Sequence, residues 1–282
     1  HCGIILDPAG AAAGRTESAT RMARILAIAN QKGGVGKTTT AVNLAAALAV
    51  APRRVLLVDL DPQGNATMAS GIDKRELDAS MCEVLFGEID ATAAILRTGE
   101  GYDLLPTNID LTAAEIRLMD EPQRELRLKN ALAPVRERYD YILIDCPPAL
   151  SLLTLNALAA ADGVIVPMQC EYFALEGLSS LVTTIEALKQ KLNPQLEIAG
   201  IVRTMYDVRN NLASAVSNEL TQHFGDRLFR SIVPRNVRLA EAPSHGKSII
   251  GYDRTSRGGI AYLGLAGEIV RSEKKRLPEA AR

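Results

Sequence analysis

The segment Ala29-Asn30-Gln31-Lys32-Gly33-Gly34-Val35-Gly36-Lys37-Thr38-Thr39-Thr40 constrains this chain more than any other. It follows the apolar run Ile25-Leu26-Ala27-Ile28 and precedes the Ala/Leu-rich stretch 41–50, so it reads as strand, phosphate loop, helix. Its glycines let the backbone curl until successive N–H groups point inward, where they and the following helix N-terminus hold phosphate oxygens. Lys37 adds a mobile positive charge beside the β- and γ-phosphates, and Thr38 offers its hydroxyl to magnesium. Val35 and Thr39 complete the loop. The spacing departs from the common form at one position, because Gln31 stands five residues before Gly36 where a glycine is usual, and a second lysine, Lys32, opens the loop.

Two further apolar runs end in carboxylates. Val55-Leu56-Leu57-Val58 leads into Asp59-Leu60-Asp61-Pro62-Gln63-Gly64, and Tyr141-Ile142-Leu143-Ile144 leads into Asp145-Cys146-Pro147-Pro148. Period-two alternation sends Asp59 and Asp61 to one side, with Asp61 at the strand's very end, where it can face a γ-phosphate. A buried strand ending in a single carboxylate delivers Asp145 rigidly to a magnesium shell, through a bound water because magnesium dehydrates reluctantly. The paired prolines stiffen the following turn as a switch segment that senses the γ-phosphate.

Short apolar runs at 25–29, 55–58, 141–144, 163–167 and 198–202 alternate with helical spacing at 38–49, 124–138, 175–192 and 210–223. That alternation predicts an α/β fold: a doubly wound, mostly parallel twisted sheet with helices on both faces, and ligands bound beyond the carboxyl ends of the strands. Segment 66–122 is less regular and reads as short helices around a strand at 102–106. Residues 1–21 lack an apolar period and read as a disordered or non-native extension, with 22–282 as one P-loop ATPase domain.

The KGGVGKT loop resembles the deviant Walker A loop of the ParA/MinD class of ATPases. Gln169-Cys170-Glu171-Tyr172-Phe173-Ala174-Leu175-Glu176-Gly177 and Ile232-Val233-Pro234-Arg235-Asn236-Val237-Arg238-Leu239-Ala240-Glu241-Ala242-Pro243-Ser244-His245-Gly246-Lys247 resemble chromosomal, Soj-type ParA proteins, and the likeness runs from about 23 to 270. It implies a slow, partner-stimulated cytoplasmic ATPase that forms a homodimer around two ATP molecules with Mg2+. It also implies non-specific binding to the double-stranded DNA of the nucleoid and a ParB-type partner at centromere-like sites. Lys32 would then reach across the dimer to the partner's nucleotide, and Asp61 would orient the attacking water. Pro234 and Asn236 match the segment lining adenine, and Arg209 and Arg238 match arginines that touch DNA. Lys32, Lys37, Asp61 and Asp145 are thus the expected catalytic set, since phosphoryl transfer depends on positioning and charge neutralisation.

Charge distribution is consistent with a polyanion partner. The chain is near neutral overall, yet residues 203–282 hold 11 Arg and 3 Lys against 8 Asp and Glu. Lys274, Lys275 and Arg276 extend that basic third or form a solvated tail. No window approaches the roughly 18–20 apolar residues that span a bilayer. A MinD-like protein would carry an amphipathic C-terminal helix for membrane docking, whereas 269–279 offers little continuous apolar face and is interrupted by Pro278. A nucleotide-gated scaffold for a cargo other than DNA is a further alternative. Cys2, Cys82, Cys146 and Cys170 are too dispersed for a zinc site or a disulfide framework, which points to a reducing compartment. Cys146 and Cys170 read as small buried residues rather than cluster ligands.

Overall fold

The structure, a computed structural model, describes residues 22–276, with side chains through Glu273. The expected extension 1–21, the side chains of 274–276 and Pro278 lie outside the described residues. The strands are β1 (Arg24–Ile28), β2 (Val55–Asp59), β3 (Leu96–Arg97), β4 (Asp103–Leu105), β5 (Tyr141–Asp145), β6 (Gly163–Gln169), β7 (Glu197–Tyr206) and β8 (Leu228–Pro234). They form one sheet in the order β3-β4-β2-β5-β1-β6-β7-β8. All neighbours are parallel except β3, which pairs antiparallel with β4.

The helices follow in chain order as α1 (Lys37–Val50), α2 (Asn65–Ala69), α3 (Met81–Phe86), α4 (Ala91–Ala94), α5 (Asp110–Leu118) and α6 (Arg127–Leu132). After these come α7 (Leu152–Ala160), α8 (Ala174–Lys191), α9 (Asn211–Phe224), α10 (Val237–Glu241), α11 (Ile249–Asp253) and α12 (Arg257–Arg276). Alternate residues of β5 show how the sheet divides them. Ile142 and Ile144 pack with helices α3 and α5–α9, while Tyr141 and Leu143 pack with α1, α11 and α12. Because both faces are covered, the central strands β2 and β5 are buried at every residue, which explains their unbroken apolar runs. α1 is buried on nearly all sides between the sheet and α12, and its alanines permit that close approach.

The structure corrects several expected boundaries. The segment 124–138 is α6 followed by a 3-10 turn over Ala133–Arg138, because Pro134 has no N–H with which to continue an α-helical ladder. The strand 198–202 extends to Tyr206, and the strand at 102–106 is the short β4. Leu228–Pro234 is a full strand rather than only a motif. The last long helix, α12, turns Tyr262, Leu265, Ala266 and Ile269 into the core against α1 and β8. Its apolar stripe is therefore already covered by protein, and none of the described helices is long and apolar enough to cross a membrane.

One close backbone approach ties the segment after α2 to the C-terminal part. Gly71 and Gly246 both have left-handed φ, +80° and +61°, and a Cβ on Gly246 would stand 2.9 Å from the Gly71 Cα. Gly246→Ala is expected to lower stability by about 1–3 kcal/mol, read as a reduced denaturation midpoint in urea, because neither backbone can yield without moving its neighbour. An unchanged midpoint would show that the two loops separate freely.

Candidate active site

The phosphate loop leaves β1 at the middle of the sheet and turns into α1. Gly34 and Gly36 take φ of +72° and +86°, a conformation that side-chain-bearing residues rarely adopt, so the turn depends on them. α1 begins at Gly36 with no side-chain cap and no acidic residue in its first turn, leaving its N–H groups available to an anion. From β7, Thr204 braces the loop by donating its hydroxyl to the Val35 carbonyl at 2.8 Å.

These elements open onto a cavity of about 500 Å³ at the carboxyl ends of the strands. Gly33, Gly34, Gly36, Lys37, Thr38 and Thr39 line its phosphate end together with Asp61. Pro234 and Asn236, the residues that the resemblance assigns to the base, line it as well. Val35, by contrast, turns into the core at 1% exposure and contributes backbone only. The Asn236 side chain also caps α10 by accepting from the Arg238 amide at 2.8 Å.

The two loop lysines differ in placement. Lys37 is buried, and its Nζ donates to the Lys32 carbonyl at 3.1 Å. Burial lowers its pKa, while the nearby Asp145, Cys146 and Asp61 favour the charged form. Lys32 is not among the residues lining the cavity and forms an exposed ion pair with Glu171. The two aromatic residues after Glu171, Tyr172 and Phe173, are exposed on the same surface.

Strand register sets Asp59 of β2 directly opposite Asp145 of β5. Asp59 accepts from the Thr67 amide and hydroxyl, each at 2.7 Å, and from the Asp61 amide at 3.2 Å. Burial raises its pKa to about 7 against those hydrogen bonds. It thus organises the turn that presents Asp61, whose own Oδ1 accepts from the Gln63 amide at 3.0 Å. Asp145 is wholly buried, and neither carboxylate oxygen has a hydrogen-bond partner of ordinary geometry. Burial pushes its pKa well up and the Asp59 charge adds to the rise, while the neighbouring Thr38 hydroxyl opposes it.

Sequence reasoning missed much of the far wall: Asn65, Thr204, Met205, Arg235, Leu239 and Tyr262 also line the cavity. Met205 has φ of +48°, a strained conformation at the end of β7. Tyr262 reaches in from α12, its hydroxyl 3.2 Å from that of Thr40 on α1. The one available signal was the helical spacing of Tyr262, Leu265, Ala266 and Ile269. Arg209 and Arg238 are absent from the cavity lining and exposed, Arg209 on the turn after β7 and Arg238 in the first turn of α10. Arg209 is held by Asp207 through Nη2–Oδ2 at 2.7 Å, and Arg238 by Glu241 at 3.0 Å. Cys146 and Cys170 are both buried, and burial pushes both thiols up.

A glycine-rich loop on β1 and carboxylates closing β2 and β5 around one cavity define a P-loop nucleotide hydrolase. Residues 23–198 match the AAA domain family. The chain is 52% identical over 249 residues to the sporulation initiation inhibitor protein Soj of Bacillus subtilis, spanning 88% of this chain and 98% of that protein. It is 50% identical over 261 residues to the chromosome partitioning protein ParA of Caulobacter vibrioides, spanning 92% and 98%. A solved structure of cobyrinic acid a,c-diamide synthase from Mycobacterium smegmatis, with bound ATP analogue and magnesium, is similar at a TM-score of 0.80 and 42% identity, covering 90% of this chain and 97% of that one. The chain belongs to the Soj/ParA family of chromosome-partitioning ATPases.

Proposed function

We propose that this ATPase is a nucleotide-dependent switch, acting in the cytoplasm, that pairs with a second copy of itself around ATP and in that state binds DNA without sequence preference. A ParB-type partner then stimulates hydrolysis and releases it, so that repeated cycles segregate a chromosome or plasmid. The observation that carries this reading is the divergence of the loop lysines: Lys37 serves the cavity of its own subunit, whereas Lys32 projects to the exterior on Glu171. A lysine within the phosphate loop but outside its own cavity is placed to serve the nucleotide of a facing subunit. The exposed pair with Glu171 is weak enough to be exchanged for a phosphate.

The residues present suit Mg-ATP. Asp145 is a fully buried carboxylate whose oxygens make no hydrogen bond of ordinary geometry, beside the Thr38 hydroxyl, and such a group is costly unless a cation completes it. Thr38 and Asp145 are the groups that would hold magnesium, Asp145 through a water. When bound, the ion neutralises charge on the β- and γ-phosphates. Lys37 and the N–H groups of α1 hold those phosphates from the protein side, and Asp61 orients water at the γ-phosphate. Pro234 and Asn236 enclose the base.

Arg209 and Arg238 supply the DNA contact in this reading. Both are exposed, both lie at the carboxyl edge of the sheet, and both are paired only with nearby carboxylates that a phosphate can displace. If a dimer sets about four such arginines on phosphates, the salt slope is about −3.6, and binding weakens roughly 150-fold between about 50 and 200 mM salt. Arg209→Glu and Arg238→Glu are each expected to abolish ATP-dependent cosedimentation with duplex DNA while leaving ATP-driven dimerisation intact. The same assay with ATP, ADP and no nucleotide tests the switch. Unchanged DNA affinity in both variants, or binding indifferent to nucleotide, refutes the proposal in favour of a scaffold for another cargo.

A further inference from the structure

The edge of the sheet opposite the phosphate loop carries a second cationic cavity. Its walls come from the amino ends of β2 and β4, from β3 and from the segment before β5, and they include Arg53, Arg54, Arg97, Arg138, Asp103 and Tyr139. Its volume is about 320 Å³, near the small end of the roughly 300–1,000 Å³ that ligand pockets span.

The acids nearby do not balance these charges. Asp103 is fully engaged, accepting from Arg97 Nη1 at 2.8 Å on one oxygen and from the Tyr139 hydroxyl at 2.9 Å on the other. Asp140 is turned to Arg54, accepting from its amide at 2.8 Å and from Nη2 at 3.5 Å. Asp90 senses the charge of Arg138 but stands outside the lining, and its Oδ1 accepts from the Thr92 amide at 2.7 Å. Among the described residues, Arg53 and Arg138 have no ion-pair partner. Arg53 Nε is buried with no hydrogen-bond partner at all, a donor removed from water and left unsatisfied. The Arg138 guanidinium lies 5.9 Å from the centre of the Tyr139 ring. Two of the four guanidinium groups around this hollow thus lack an opposing carboxylate, and their like charges favour an anion between them.

We propose that this cavity binds the phosphoryl group of a small free anion, at a site separate from the nucleotide cavity. Guanidinium forks match phosphate oxygens in pairs, and Arg53 and Arg138 are the two whose donors are uncommitted. The size of the hollow admits a phosphoryl group. Its location disfavours a nucleic acid backbone, because Arg209 and Arg238 occupy the other edge of the sheet. A dimer that closes across the phosphate loops leaves this edge facing outward, so both subunits keep the site.

Isothermal titration with inorganic phosphate tests the assignment, on protein preloaded with Mg-ADP to fill the nucleotide cavity. The wild type is expected to show saturable binding that weakens at least roughly tenfold in Arg53→Gln/Arg138→Gln. Phosphate is also expected to raise the thermal midpoint of the wild type beyond the effect of KCl at equal ionic strength, and not that of the double variant. Should that variant fail to fold, Arg138→Gln alone serves, because its side chain only borders the hollow. No saturable binding in the wild type, or equal binding in the variant, as phosphate lodged beside ADP would give, overturns the proposal. So does a variant that keeps phosphate binding but loses ATP-dependent DNA binding, since the arginines would then belong to a nucleic acid surface.

Discussion

Asp145→Asn is expected to make the nucleotide-free protein more stable and the enzyme inactive. The wild-type carboxylate is wholly buried, opposite Asp59, with neither oxygen in a hydrogen bond of ordinary geometry. Removing that charge relieves about 1–3 kcal/mol, which corresponds to a rise of about 2–6 °C in thermal midpoint for a chain of this size. An amide cannot replace the anion toward magnesium, so ATP turnover is expected to fall by about a thousandfold or more. Differential scanning fluorimetry without nucleotide and a steady-state phosphate-release assay read the two effects separately. A lower midpoint would mean that Asp145 has partners in the folded protein that its geometry does not reveal. Retained turnover would remove it from the site. The opposed signs distinguish a residue held in place for chemistry from one that merely supports the strand.

Lys32→Ala is expected to divide binding from turnover. Lys37, the α1 N-terminus and the cavity wall of Pro234 and Asn236 remain, so affinity for Mg-ADP is expected to stay within about threefold of wild type. Light scattering with ATP should nonetheless report a monomer, whereas the wild type is expected to double in mass. Hydrolysis should fall by about a thousandfold or more, the scale of a cation supplied across an interface to a transferring phosphoryl group. Normal ATP-driven pairing of the variant would assign Lys32 to the surface, with Glu171 as its permanent partner. Loss of ADP binding would place it instead in the cavity of its own subunit.

The parts legible in the sequence are those where one residue type answers one local requirement. Gly34 and Gly36 need left-handed φ, Lys37 and Thr38 open a helix at an anion site, and Asp145 ends an uninterrupted buried strand. Pro234 and Asn236 followed from resemblance, and the structure brings them to the same cavity. What stayed hidden depends on register and packing between distant segments. Asp59 looks like half of an acidic pair, and only the alignment of β2 with β5 and the reach of Thr67 show it organising a turn. Leu228–Pro234 interrupts its apolar residues with Arg230 and Ser231, whose amides are satisfied by Glu268 of α12 at 2.8 and 2.7 Å, so no simple alternation marks the strand. Within 124–138, helical spacing continues across Pro134, and only that residue's missing N–H turns the second half into a 3-10 turn.

The wall that faces the phosphate loop is assembled from Pro234, Asn236, Leu239 and Tyr262, roughly two hundred positions downstream of the glycines it encloses. During synthesis the loop leaves the ribosome long before that wall exists. A nascent chain therefore cannot close this cavity until Tyr262 has emerged.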